Sequence, residues 1–223
     1  MFRNLFNSTI IILIINFISF DVKSEIKNYI VVKVGNSVVT SSDIMNEIIT
    51  NLIIEKKEIT QVNIDNGKNY AVKNLINRSI KNNEITKYKI VDYSKEDLQG
   101  YIASTAKILN TNSIGFKEIF KKKNISYDLF VERHKTELLW NTLIYAVYKN
   151  QINVNIIEVE NEARKLLNTM SKENQNADEF AKIKKKILQK RKQEKLSLFS
   201  RSHISNLENT VRIKFRWKSL LLL

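Results

Sequence analysis

Residues 29–53, YIVVKVGNSVVTSSDIMNEIITNLI, decide how this chain folds. Ile30 to Val34 and Val38 to Thr40 are rich in β-branched residues and read as two short strands. Gly35-Asn36-Ser37 between them supplies the φ > 0 positions that a hairpin turn needs. Thr40 then caps a helix, with Asp43 three residues on completing a capping box. Ile44, Met45, Ile48, Ile49, Leu52 and Ile53 follow at helical spacing and form one wide apolar stripe. A two-stranded ribbon this short is marginal in water and needs a third strand. The candidate lies at the other end of the chain, Val211-Arg212-Ile213-Lys214-Phe215. The expectation is that hairpin and distant strand meet, so that the helices between them fold as one body.

The residues ahead of this stretch read differently. Arg3 makes a small positive start, and Ile10 to Phe20 is an apolar run broken by Asn16. Val22-Lys23-Ser24 suits a cleavage site before Glu25. The run is short for a bilayer span and matches a secretory signal, the alternative being an uncleaved amphipathic anchor. Residues 1–24 are therefore read as a cleaved signal peptide and the mature protein as periplasmic.

Composition narrows the chemistry. Cysteine is absent, which excludes disulfides, thiol catalysis and cysteine metal sites. Four glycines and no proline argue for a largely α-helical chain. Lys and Arg number 37 against 23 Asp and Glu, a formal net charge of +14. Two readings stand: a compositional bias toward lysine, or an anionic partner such as nucleic acid, acidic lipid or an acidic client.

Along the chain, Glu55 to Asn69 is polar, carries Asp65-Asn66-Gly67, and reads as a surface loop. Residues 70–84 put Ala71, Val72, Leu75, Ile76 and Ile80 on one helix face. Ser94 with Asp97 opens a helix that turns Leu98, Ile102, Thr105 and Leu109 inward, and a short helical turn surrounds Phe116, Ile119 and Phe120. Ser126 caps a helix over about 127–150 whose stripe includes Phe130, His134, Leu138, Asn141, Tyr145 and Tyr148. Asn155 with Glu158 opens another, carrying Val159, Ala163, Leu166, Leu167 and Met170. Residues 171–177 read as a linker, 178–207 as a last helix whose Lys190–Lys195 stretch is polar all round, and 217–223 as an apolar tail.

No catalytic constellation stands out. His134 and His203 sit singly on helix stripes, and no phosphate cradle, paired-histidine spacing or nucleophile elbow occurs. Glu47, Asp97, Glu118 and Glu158 read as cap or exposed-face carboxylates. The expectation is a non-enzyme without cofactor or metal. Residues 178–201 hold nine Lys/Arg against three acids, yet no aromatic lies in the dense part to stack on bases. Nucleic acid is thus not the expected partner, and a solvated or lipid-facing basic helix is. Tyr101, Phe116, Phe120, Tyr127, Phe130, Trp140, Tyr145 and Tyr148 cluster in one region; most read as core, and they are the candidates for an apolar peptide-binding groove.

VVKVGNSVVTSSDI resembles the opening of the mature SurA-type periplasmic chaperones: strand, turn, strand, then Ser/Thr-x-x-Asp into the first helix. The turn here is Gly35-Asn36-Ser37 where the family commonly has Asn-Gly-Glu. The likeness continues through residues 69–110 and 125–160, and again in the closing FAKIKKKILQKRKQEKLSLFSRSHISNLENTVRIKF. The resemblance implies a mainly α fold with a small antiparallel β element, a helical chaperone module over 25–170 closed by the helix and strand of 178–216. It also implies binding of unfolded outer-membrane proteins without ATP. The family's parvulin-type isomerase domains have no room between Glu158 and Asp178, so isomerase activity is not expected here. The oligomeric state is left open.

Overall fold

The computed structural model describes residues 28–170 and 176–216. The signal peptide, most of the linker and the apolar tail read from the sequence lie outside the described residues. Elements run in the order β1 (Ile30–Val34), β2 (Ser37–Thr40), α1 (Ser41–Ile54), α2 (Gln61–Lys87), α3 (Lys95–Ile108), α4 (Ser113–Lys122), α5 (Tyr127–Tyr148), a 3-10 turn (Lys149–Gln151), α6 (Ile156–Asn168), α7 (Ala177–Thr210) and β3 (Ile213–Phe215). The described residues are mainly helical with one small antiparallel sheet.

The sheet has the order β2-β1-β3, so the distant strand does pair with the hairpin. Val34 faces Ser37 on one side and Ile213 on the other; the β1–β2 register shifts once, between Ile30 and Val32. Gly35 takes φ 57° at the turn, where a side chain would be strained, and its N–H donates to the Arg212 carbonyl at 3.0 Å. On the far side the Arg216 N–H donates to Val31 at 2.8 Å. Thr40 and Asp43 form the capping box: the Asp43 N–H donates to Thr40 Oγ1 at 3.2 Å and the Thr40 N–H to Asp43 Oδ2 at 2.9 Å.

Val31, Val32 and Val34 are fully buried with Val39, Ile44, Ile48, Leu52 and the α2 residues Ala71, Val72, Leu75, Ile76 and Ile80; Ile204, Leu207, Val211 and Ile213 pack on them. Burying each such side chain contributes about 1.5–3 kcal/mol, and this core joins both ends of the described chain. A second core gathers α4 and the start of α5, and a third is built from Ile85, Trp140, Leu143 and Ile144 under Leu196 and Phe199 of α7. A fourth, smaller one holds α6 against the first half of α7 through Val159, Ala163 and Ile187. The closing helix therefore has two halves: the first packs on α6, the second returns to α2 and α5.

The segment read as a loop is partly helix. α2 begins at Gln61, capped by Thr60, whose hydroxyl accepts from the Asn63 N–H at 3.3 Å. Asp65-Asn66-Gly67 lies inside it; Gly67 serves close packing, because a β-carbon there would sit 3.2 Å from Ile48 Cγ2. The α5 stripe is also corrected. Phe130, Thr136, Trp140, Leu143 and Ile144 are its buried residues, whereas Asn141 and Tyr145 face outward. Because α5 is covered from several sides, no single 3.6-residue stripe describes it.

Candidate functional site

The eight aromatics divide by burial. Phe116, Phe120 and Phe130 are fully buried in the second core, with Phe116 edge-on to both phenylalanine partners at 5.0 Å between ring centroids. Tyr127 is half-buried and closes that cluster from 5.9 Å. Tyr101 lies over the His134 ring at 3.4 Å and is 38% exposed. Burial, with Arg133 and Arg78 nearby, lowers the His134 pKa from 6.5 to about 3, so this imidazole is neutral. Trp140 is buried in the third core and its indole N–H donates to Ser200 Oγ at 2.8 Å. Four of the eight, Phe116, Phe120, Phe130 and Trp140, are thus interior.

Tyr148 stacks on Phe199 at 4.7 Å with rings nearly parallel, and its hydroxyl shares a 2.8 Å hydrogen bond with His203 Nδ1. Burial raises the Tyr148 pKa. His203 Nε2 lies 3.5 Å from the buried Glu84, so this histidine joins α2, α5 and α7. Among the described residues no group of three or more His, Asp and Glu is placed to hold a metal ion.

Glu47, read as an exposed-face carboxylate, is buried instead. Arg78 reaches its Oε2 at 2.8 Å, Arg133 its Oε1 at 3.3 Å, and Asn74 donates to Oε1 at 3.4 Å. Both carboxylate oxygens are occupied by cations from α2 and α5, which suits a tie between helices. Asp97 lies in the first turn of α3 and Glu158 accepts from Asn155 Nδ2 at 2.9 Å, as cap chemistry predicts.

Two of the surface concavities among the described residues bear on these candidates and on the closing strand. One, of about 510 Å³, lies between α5 and α7 at the start of α3. Leu138, Tyr145 and Leu196 give it apolar wall, and Asp97, Ser197 and Arg201 give it polar rim. Of the eight aromatics only Tyr145, 54% exposed, opens into it. The other, of about 400 Å³, runs beside β3 and is lined by Val72 and Ile76 of α2 with Ile213 and Phe215, under a rim that includes Lys73 and Glu208.

The groove beside β3 escaped the sequence reading. Val72 and Ile76 were assigned to a core face and Ile213 to a strand, but only the chain closure brings them together. Alternation along Ile213-Lys214-Phe215 was the one signal that a second apolar row stood there. β3 is one of the sheet's two edge strands, with β1 on one side and no described strand on the other. An apolar trough beside such an edge accommodates an extended segment through main-chain pairing and alternate side chains.

No protein-family model matches this chain, and no curated protein matches it either.

Proposed function

We propose that this protein is an exported, ATP-independent holdase that captures unfolded polypeptides, outer-membrane proteins foremost, and hands them on without chemistry. The observation that carries the reading is the apolar groove lined by Val72, Ile76, Ile213 and Phe215 along the edge of the closing strand. It offers hydrophobic contact without a side-chain code, as an unselective binder of extended chains requires. The cleft beside Tyr145 is a second contact surface. The hairpin-to-closing-strand pairing agrees with what the SurA-type resemblance implies, and the sequence motifs carry the rest of that likeness. The net positive charge adds attraction to acidic clients.

The test is suppression of aggregation of a urea-unfolded outer-membrane protein by the purified chain. Stoichiometric excess should hold the client soluble, and Phe215→Ser should weaken capture several-fold. Tyr145→Ser reports the second surface. No suppression at any ratio sinks the reading. An adaptor for one dedicated partner would retain a single protein where a holdase retains many unrelated unfolded chains. A proline-peptide isomerisation assay should stay at background.

A further inference from the structure

The first half of α7 is one arm of a two-helix hairpin whose other arm is α6. Phe180, Ile183, Ile187 and Leu188 turn toward α6. At 100° per residue the opposite face carries Lys182, Lys185, Gln189 and Lys192, flanked by Lys186 and Lys190, and all six are exposed.

Charge on this hairpin is sorted by direction. Inward, Lys184 reaches Glu160 at 2.5 Å and Arg191 reaches Glu162 at 2.9 Å. Those contacts lower the Glu160 pKa and raise that of Arg191. Along the helix, Lys182 takes Glu179 at 3.1 Å, and Arg191 also takes Glu194 at 3.3 Å. Four acids of the two helices, Glu160, Glu162, Glu179 and Glu194, are therefore spent on three cations. Lys185, Lys186, Lys190 and Lys192 make no ion pair among the described residues. Four unpaired, exposed lysines thus stand together on the side of α7 turned away from α6, with Asp178 the one acid on that side.

We propose that this outer face of α7 is a docking surface for an anionic membrane, its lysines resting against headgroup phosphates. Lys182 to Lys192 extends about 15 Å along a straight helix, a low ridge suited to a plane of headgroups. No aromatic lies on the ridge to stack on a base, which argues against nucleic acid. Contact made through lysines on a helix face is electrostatic, so this association is salt-sensitive. The inference does not depend on client holding; each can fail without the other.

Flotation of the purified chain with vesicles of mixed phosphatidylglycerol and phosphatidylethanolamine tests it, with phosphatidylcholine vesicles as reference. Binding should require the anionic lipid and fall as salt rises. Each lysine near an anionic surface contributes about a fivefold factor, so joint substitution of Lys185, Lys186, Lys190 and Lys192 by Gln should weaken binding about a hundredfold or more. Lys185→Gln or Lys192→Gln alone should weaken it about fivefold, with unchanged thermal melting. A control with Lys107, Lys121, Lys122 and Lys123 all changed to Gln removes the same charge from exposed sites elsewhere and should bind nearly as wild type. Equal loss in both quadruple variants, binding without anionic lipid, or tighter binding to duplex DNA through the same four lysines overturns the proposal.

Discussion

Gly67 of α2 rests against Ile48 of α1 so closely that a β-carbon at Gly67 would stand 3.2 Å from Ile48 Cγ2. Ile48 is 2% exposed and packed in the first core with the sheet and α2. Gly67→Ala should therefore lose stability despite the better helix propensity of alanine, and Gly67→Val should lose about 1–3 kcal/mol through overpacking. Gly100 in α3 has open space where a β-carbon would go, so Gly100→Ala should gain about 0.5–1 kcal/mol. Urea unfolding of the three variants checks the opposite signs.

Glu47 is the one carboxylate placed between Arg78 and Arg133, with its side chain 4% exposed. Removing one partner of such a pair leaves the other charge uncompensated. Glu47→Ala should cost about 3 kcal/mol or more, read from denaturant midpoints. Arg78→Met should cost less, because Arg133 and Asn74 still reach the carboxylate.

His134 yields a pH dependence of definite sign. The unfolded chain protonates this imidazole near pH 6.5, while the folded chain resists until about pH 3. Between those values the unfolded state binds the extra proton, so the contribution of His134 to stability is full above pH 6.5 and declines as pH falls. Chemical unfolding of wild type and His134→Gln at pH 7 and pH 4 should show a smaller acid-induced loss in the variant. An equal loss would mean the imidazole is not held neutral.

Lys214 stands opposite Lys33 in the β1–β3 ladder. The flanking bonds, from Gly35 N–H to Arg212 and from Arg216 N–H to Val31, put the 33–214 pair in hydrogen-bonding register. Lys214→Pro should remove a main-chain donor and cost about 1–3 kcal/mol, whereas Lys214→Thr should be nearly silent. Amide exchange at Lys33 and Gly35, whose N–H groups face β3, should rise in the proline variant alone.

What could be read in advance was local or strongly patterned. Thr40 with Asp43, Ser126 and Asn155 cap their helices because the bond partner lies within three residues of each. The pairing of β1 with β3 was legible for a different reason: one β-rich run was left over and an incomplete ribbon needed it. Gly67 misled because a helix glycine kept for Ile48 looks the same as a turn glycine in Asp65-Asn66-Gly67. Glu47 misled because its cations, Arg78 and Arg133, come from two other helices. Periodicity placed Phe116, Phe120 and Phe130 together but could not say that they cover one another, nor that Tyr145 is left outside.

The sheet has a kinetic corollary. β1 and β2 are made early and β3 last among the described elements, so a ribaltable two-strand hairpin must wait, unsatisfied along one edge, while seven helices are produced. The first core gains its last wall, Val211 and Ile213, only when the far end of the described chain is in place, so the hairpin and α2 stay open on that side until then.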